Sequence, residues 1–227
     1  GLSNQEARER LWFVDKDGLL VKSRADDLMP HNLPYAHDMK TMSFLEAIDE
    51  IRPNVLIGAT GAPGTFTEDV VRAMTRINNR PAIFALSNPT SRAECTAEQA
   101  YDWSNGLAIF SSGSPFASVK YEGKLYKPGQ GNNAYIFPGV GLGAIVAEAE
   151  TITDNMFMIA AKILADMVSE DDLGHGALYP PLNMIREVSL EIAVAVAEEA
   201  FRTGNAQAVQ PDNLHKAIKT QMYDPRY

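Results

Sequence analysis

The 227-residue sequence is poor in cysteine, in long apolar runs and in positive charge. Its single cysteine, Cys95, permits no internal disulfide, so we expect a cytoplasmic protein or, in a eukaryote, one of the mitochondrial matrix. The longest nearly apolar stretch, residues 134–147, is interrupted by proline and glycine and is too short to span a bilayer, so no membrane segment is expected. The net charge of -9 argues against a nucleic-acid partner, because binding to a phosphate backbone requires clustered Lys and Arg.

Several catalytic patterns are also missing. The four histidines are scattered through the sequence and Cys95 has no partner pattern, so a zinc site is not expected. The sequence contains no Gly-x-Ser-x-Gly motif, and the serines around 111–114 are better explained as caps or turn residues than as nucleophiles. Zinc chemistry and this form of serine catalysis are therefore poor candidates.

Short apolar runs alternate with amphipathic segments in the first half of the sequence. The runs predicted as buried strands lie at 11–14, 54–57, 82–86 and 107–110. Capping patterns predict helices at 43–51, at 65–77 and from residue 96 to residue 103. Because parallel strands need crossover helices and are apolar on both faces, this order predicts an α/β fold with a parallel sheet.

The pattern changes after residue 115. The sequence YEGK at 121–124 predicts a small hairpin, and the Ala-rich remainder predicts helices at about 154–168, 184–203 and 212–222. We therefore expect an α/β part followed by a helical part.

Ligands of open parallel sheets bind at the carboxyl ends of the strands, so the residues at those ends are the candidates for a site. The predicted strand ends carry small or polar residues, namely DK at 15–16, GATGAPG at 58–64, SNP at 87–89 and SSGSP at 111–115. The glycines of 58–64 would let backbone approach a ligand and present helix N–H groups to an anion. A purely structural strand-to-helix loop fits equally well, because the glycine spacing is not that of a standard phosphate-binding motif.

Four polar side chains in this part of the sequence suit ligand contacts. Asp15 could accept hydrogen bonds from both hydroxyls of an adenosine ribose and repel a 2′-phosphate, although an ordinary turn-forming aspartate is equally consistent. Asn88 precedes a proline, and its amide could hold a substrate carboxylate or a nicotinamide carboxamide, although an isolated Asn-Pro more often forms a turn. Asn132 and Asn133 offer further amides, with capping of the next helix as the alternative.

Seven blocks of sequence together resemble the carboxyl-terminal part of malic enzymes. They are WFVDKDGLL at 12–20, FALSNPT at 84–90, AECT at 93–96, SGSPF at 112–116, PGQGNN at 128–133, YIFPG at 135–139 and LYPP at 178–181. The resemblance implies a Rossmann-like sheet with flanking helices. It also implies oxidative decarboxylation of malate to pyruvate and CO2, with NAD or NADP as cofactor and a divalent metal, Mg2+ or Mn2+.

The resemblance also implies roles for individual residues. The residues expected on the cofactor are Asp15 and Lys16 at the adenosine ribose, Ala59 and Thr60 along the dinucleotide, and Leu86, Ser87 and Asn88 toward the nicotinamide. Asn88 and Asn132 are expected to hold malate. Members that use NADP commonly carry a Lys just before the Pro-aromatic-x-His run, where this sequence has Asn32 and Leu33 before PYAH, so NAD is expected rather than NADP.

The family's remaining machinery would lie upstream of this sequence, which begins GLS without a methionine. The catalytic Tyr and Lys, the substrate Arg, the metal-binding carboxylates and the first strand all have no counterpart here. Residues 1–133 are therefore expected to form a dinucleotide-binding domain without its first βα unit, and 134–227 a helical segment that packs on a catalytic domain. The expected partners are that amino-terminal domain or further copies in a homo-oligomer.

We expect no catalytic residue or metal ligand in this sequence, and little activity from it alone. The alternative is a non-catalytic module for dinucleotide sensing or assembly. A two-domain dehydrogenase for a different substrate is a third possibility, which the paired Asn88 and Asn132 disfavour.

Overall fold

The computed structural model describes residues 2–223. The strands are β1 (Val14–Asp15), β2 (Gly18–Leu19), β3 (Val55–Gly58), β4 (Ala82–Ala85), β5 (Ile109–Ser112), β6 (Val119–Tyr121), β7 (Lys124–Tyr126) and β8 (Gly129–Gln130). The α-helices are α1 (Asn4–Glu9), α2 (Phe44–Ile51), α3 (Glu68–Ile77), α4 (Ala97–Trp103), α5 (Phe137–Ala147), α6 (Asp154–Asp166), α7 (Glu170–Gly174), α8 (Ile185–Thr203) and α9 (Leu214–Gln221).

A four-stranded parallel sheet in the order β3-β4-β5-β8 is the centre of the first half, which confirms the predicted α/β fold. Helices α3 and α4 form the crossovers between β3, β4 and β5. One face of the sheet, represented by Leu56, Ile83 and Phe110, is buried in a core shared with these helices. Because each crossover returns the chain in the same direction, the carboxyl ends of β3, β4 and β5 lie along one edge of the sheet.

The predicted buried strand at 11–14 is wrong. Only Val14 belongs to a strand, which pairs antiparallel with β2 in a separate two-stranded sheet. Leu11 and Phe13 are exposed at 48% and 42%, so the apolar run does not enter the core of the parallel sheet. The turn after β1 explains the difference, because Lys16 and Asp17 return the chain at once to Gly18, which pairs with Asp15 and has a positive φ of 107°.

Strand β3 is an edge of the parallel sheet, and β4 is its one partner among residues 2–223. Its side chains alternate between buried and exposed, with Val55 at 49% and Ile57 at 62% exposure. Parallel sheets are normally covered on both faces, so the face of β3 that carries Val55 and Ile57 lacks the cover that its apolar sequence suggests.

The predicted hairpin is confirmed, because β6 and β7 pair antiparallel around Glu122 and Gly123. Both turn residues have positive φ angles, 46° and 82°, as tight hairpin turns require. Strand β8 was not predicted, since two residues between a lysine-proline pair and an asparagine loop carry no apolar signal.

The helices predicted near 154–168, 184–203 and 212–222 are confirmed as α6, α8 and α9. Helix α5 was not predicted, because its Pro138 and glycines resemble helix breakers. The proline stands in the first turn, where it is tolerated. Gly139 and Gly143 lie against α8, and a Cβ at Gly143 would be 2.5 Å from the carbonyl oxygen of Ala193.

The helices from α5 onward build a core of their own. Its buried residues lie between Tyr135 and Ile218, whereas those of the sheet core lie between Ile48 and Tyr126. The predicted domain boundary at 133 and 134 falls between these cores and stays a prediction. Within residues 2–223, the structure contains no helix with the length and apolar character needed to cross a membrane.

Candidate functional site

The segments that follow β3, β4 and β5 contact one another at the carboxyl edge of the sheet. The segment after β3 is the glycine loop, residues 58–64, and the segment after β4 is the Asn88 segment, residues 86–89. The segment after β5 contains Ser114. The amide of Gly61 donates to Ser87 Oγ at 2.8 Å, and Ser114 Oγ donates to Asn88 Oδ1 at 2.5 Å. The structure thus brings together the predicted residues Thr60, Ser87 and Asn88.

Glu94 lies beneath this edge and links the glycine loop to the Asn88 segment. It is fully buried, with 0% exposure. Its Oε1 accepts hydrogen bonds from the Thr60 amide at 2.9 Å, the Thr60 hydroxyl at 2.8 Å and the Ser87 hydroxyl at 2.5 Å. Its Oε2 accepts from the Ser87 amide at 3.3 Å. One carboxylate therefore fixes two segments that follow different strands.

The surroundings of Glu94 keep it ionised. Burial raises the pKa of the carboxyl, but the hydrogen bonds from Ser87 and Thr60 favour the charged form and bring the pKa below its usual value. A carboxylate has acceptors only, which matches the four donors that surround it.

Glu94 was not among the predicted site residues. The only available signal was a charged residue inside the small and apolar AECT block at 93–96, in a position that no turn or cap explains. Buried charges in proteins are paired or hydrogen-bonded, so such a residue requires partners that sequence order does not reveal.

The three glycines of the glycine loop are needed for different structural reasons. A Cβ on Gly58 would lie 2.6 Å from Glu94 Cδ and 2.7 Å from Phe66 Cζ, so this glycine makes room for the buried carboxylate. Gly61 and Gly64 have φ angles of 64° and 73°, and no atom would lie within 4 Å of a Cβ on either. The outer part of the loop is therefore open backbone, and Ala59 and Thr60 are exposed there, as contact with a dinucleotide requires.

The loop after β5 closes on the Asn88 segment through another glycine. A Cβ on Gly113 would lie 2.3 Å from the Leu86 carbonyl oxygen and 2.6 Å from Asn88 Oδ1. Asn88 itself is exposed beside this contact. The Asn88 amide is therefore held from one side by Ser114 and remains accessible to solvent.

Asn132 lies beyond β8 on the same side of the sheet. The amide of Gly131 donates to the Ser112 carbonyl at 2.8 Å, and a Cβ on Gly131 would lie 3.2 Å from Leu86 Cδ2. Asn132 Oδ1 accepts from the Ala134 amide at 2.8 Å, so its side chain has the capping role that was the alternative to substrate binding. Asn132 is exposed, and the hydrogen bond described for its side chain is with Ala134 and not with Asn88.

Asp15 and Lys16 lie in the separate β1–β2 hairpin, and their described contacts are within that region. Both Asp15 carboxylate oxygens accept from Arg24 Nη2, at 3.0 and 2.7 Å, and Oδ1 also accepts from the Asp17 amide. Burial raises the pKa of Asp15, but these hydrogen bonds outweigh it and the pKa lies below its usual value. Lys16 is exposed and pairs with Asp17 at 3.0 Å.

Within residues 2–223, no three His, Cys, Asp or Glu side chains come together in an arrangement that could hold a metal ion. The side chains at the carboxyl edge are amides and hydroxyls around one satisfied carboxylate. They suit hydrogen bonding to a polar organic ligand better than metal coordination.

A parallel sheet with a glycine loop and polar residues along its carboxyl edge is typical of dinucleotide-binding α/β domains. A family model described as "Malic enzyme, NAD binding domain" matches residues 1–201. The chain belongs to the malic enzyme family, and this part of it corresponds to the NAD-binding domain.

The chain is similar to relatives that are named for NADP and to relatives that are named for NAD. An NADP-dependent chloroplastic malic enzyme of Flaveria pringlei is 49% identical over 98% of the chain and 35% of its own length. An NAD-dependent mitochondrial malic enzyme of Ascaris suum is 48% identical over 100% of the chain and 36% of its own length. The crystal structure of the Entamoeba histolytica malic enzyme has the same fold, with a TM-score of 0.69 and 19% identity over 92% of this chain and 41% of that one. The chain thus spans about a third of the length of these curated relatives.

Proposed function

We propose that this chain is the cofactor-binding part of an enzyme that oxidatively decarboxylates malate to pyruvate and CO2. The observation that carries the proposal is the meeting of the glycine loop and the Asn88 segment over Glu94 at the carboxyl edge of a parallel sheet. This edge is where sheets of this class bind dinucleotides. Membership of the malic enzyme family supports malate as the substrate.

In this proposal the exposed backbone of Ala59 and Thr60 lies along the dinucleotide, and Leu86 and Ser87 lie toward the nicotinamide. The bound cofactor would accept a hydride from malate. Asn88 would hold a malate carboxylate through its amide, since its oxygen already accepts from Ser114 and its nitrogen is a donor. Asn132 would contribute in the same way from the loop beyond β8, since its oxygen accepts from the Ala134 amide and its nitrogen is a donor.

The finer part of the proposal is a preference for NAD. Asn32 and Leu33 stand where NADP-using members commonly carry a Lys, and Asp15 would repel a 2′-phosphate if it contacts the ribose. The relatives include enzymes named for each cofactor, so the preference rests on these residues alone. We further propose that Mg2+ or Mn2+, the general base and the general acid are provided by an amino-terminal catalytic domain.

The test is a malate-dependent assay for NADH with Mg2+ or Mn2+. It is run on the 227-residue chain and on the protein expressed from the whole reading frame that carries it, with NADP+ in parallel. We expect turnover from the longer protein, little from the chain alone, and a larger kcat/KM with NAD+. Robust turnover by the chain alone would contradict the assignment of catalysis to another domain.

Substitution of Asn88 separates substrate binding from cofactor binding in the longer protein. Asn88→Ala should raise the KM for malate about tenfold, which corresponds to the loss of a hydrogen bond to a charged group, and should change the KM for NAD+ less. Unchanged malate kinetics would refute the role of Asn88. NAD binding by a longer protein that never turns over malate would instead favour a dinucleotide-sensing module.

A further inference from the structure

We propose that Glu94 is a positioning residue, which sets the glycine loop and the Asn88 segment in the relative arrangement that binds NAD. The inference rests on the proposed function, because it assumes that these two segments contact the cofactor and the substrate. Glu94 is fully buried, so it does not itself touch either ligand. Any effect on binding must act through Thr60, Gly61 and Ser87.

The hydrogen bonds form a connected chain from the glycine loop to the carboxylate. The Gly61 amide donates to Ser87 Oγ at 2.8 Å, and Ser87 Oγ donates its own proton to Glu94 Oε1 at 2.5 Å. The Thr60 amide and hydroxyl donate to the same oxygen. A serine hydroxyl has a single proton, so its donation to Glu94 leaves its lone pairs to receive the Gly61 amide. The negative charge therefore fixes the direction of every bond in the chain.

The rest of Glu94 also holds the glycine loop at both of its ends. Its carbonyl oxygen accepts from the Phe66 amide at 3.1 Å, just beyond the loop. Its Cγ and Cδ occupy the space that a side chain on Gly58 would need, at the start of the loop. The loop thus leaves β3 over the Glu94 side chain and returns to the Glu94 backbone.

A neutral side chain of the same shape would break this arrangement. In Glu94→Gln one carboxylate oxygen becomes an NH2 group, which presents donors to a site whose neighbours are already donors. At least one of Thr60, Gly61 and Ser87 would then lose its bond or move. A residue that only stabilises the fold would lower stability without changing the affinity of the folded protein for NAD.

The experiment measures NAD binding to the full 227-residue chain by calorimetric titration, at a temperature where circular dichroism shows every variant folded. Glu94→Gln should weaken NAD binding about tenfold, as expected for the loss of a charge-assisted hydrogen bond that orders the site. The matched control is Glu199→Gln. Glu199 is also a buried carboxylate, bonded to Arg202 and Asn155 in the helical core, and its substitution should leave the NAD affinity unchanged.

Equal NAD affinity in the wild type and in Glu94→Gln would overturn the positioning role and leave the proposed function intact. If Glu94→Gln does not fold, Ser87→Ala removes the same bridge between Gly61 and Glu94, and unchanged NAD affinity in that variant would overturn the role.

If the wild-type chain binds neither NAD nor NADP, the proposed cofactor function of this chain fails, and hydrogen exchange decides the role of Glu94 separately. The amides of Thr60 and Gly61 should then exchange at least about tenfold faster in Glu94→Gln than in the wild type, with no change in α8. Equal exchange rates at these two amides would overturn the inference.

Discussion

Glu94 accepts hydrogen bonds from both the amide and the hydroxyl of Thr60, at 2.9 and 2.8 Å, although the two residues are 34 positions apart. The carboxylate and the glycine loop therefore depend on each other. The loop hides the charge from water, and the charge satisfies the loop's donors. Measurements of stability should reveal this dependence directly.

Replacement of Glu94 should give a stability loss that depends on pH. Glu94→Gln should lower the free energy of unfolding by about 1–3 kcal/mol at pH 7, since buried donors lose their acceptor. The folded-state pKa of Glu94 is below the ordinary value of 4.5, so its contribution is present above 4.5 and is lost as the pH falls through the folded-state pKa. Urea unfolding should show the difference between the proteins shrinking below pH 4.5.

The control for this series is Glu50→Gln, on the exposed surface of α2. It should stay within about 0.5 kcal/mol of the wild type at every pH. A difference between wild type and Glu94→Gln that is independent of pH would show that the charge of Glu94 is not what stabilises the loop.

Two glycines of α5 should respond to alanine in opposite directions. A Cβ on Gly143 would lie 2.5 Å from the Ala193 carbonyl oxygen and 3.0 Å from Val196 Cβ, so Gly143→Ala must push α5 from α8 and should cost about 1–3 kcal/mol. Nothing would lie within 4 Å of a Cβ on Gly141, so Gly141→Ala should stabilise the helix by about 0.5–1 kcal/mol. Thermal unfolding compares the two variants, and equal changes would contradict the packing of α5 on α8.

Removal of the Asp15 charge should reduce the preference for NAD over NADP. In Asp15→Asn the repulsion of a 2′-phosphate is lost and the partner Arg24 keeps its positive charge, so the ratio of NADP to NAD affinity should rise about tenfold. Parallel titrations with both cofactors measure the ratio. Asp26→Asn, an exposed change in the same region, is the control, and an equal ratio in both variants would exclude Asp15 from the ribose site.

The open edge of β3 should promote self-association. Exposed apolar strand edges pair readily with other chains, and a lysine there opposes such pairing. Val55→Lys should therefore reduce the oligomeric fraction in sedimentation velocity. Val209→Lys is the control, because Val209 is 93% exposed outside any helix or strand and should leave association unchanged. A wild-type chain that stays monomeric at high concentration would contradict this prediction.

The parts of the fold that depend on neighbours in sequence were predictable. Ser43 and Glu46 form the capping box that their spacing indicates, and Glu122 with Gly123 makes the hairpin turn. The strands at 55–58 and 82–85 follow from apolar runs that end in small or polar residues, since such runs are typical of parallel sheets. The strand predicted at 107–110 is displaced by two residues, because β5 is Ile109–Ser112 and Leu107 is 43% exposed. Ser111 and Ser112 are buried in this strand, so their expected role as caps or turn residues is wrong.

The parts that depend on distant residues were not predictable. The role of Glu94 requires Thr60 and Ser87 to approach it from two different strands, and Gly143 is acceptable within α5 only because α8 lies against it. The apolar run at 11–14 has the composition of a buried strand, but its burial depends on which segment of the fold lies beside it. By contrast, the hydrogen bond from the Ala134 amide to Asn132 is local in sequence, and it was foreseen as the alternative to substrate binding.

The single cysteine offers a way to watch the site open. Cys95 adjoins Glu94 in sequence, is buried, and has a thiol pKa raised to about 12 by burial and by the charge of Glu94. A thiol of this kind is inert while the fold stays closed. The rate at which a thiol reagent labels Cys95 in the native protein therefore reports how often the segment that carries Glu94 separates from the sheet. The measurement needs no probe added to the sequence.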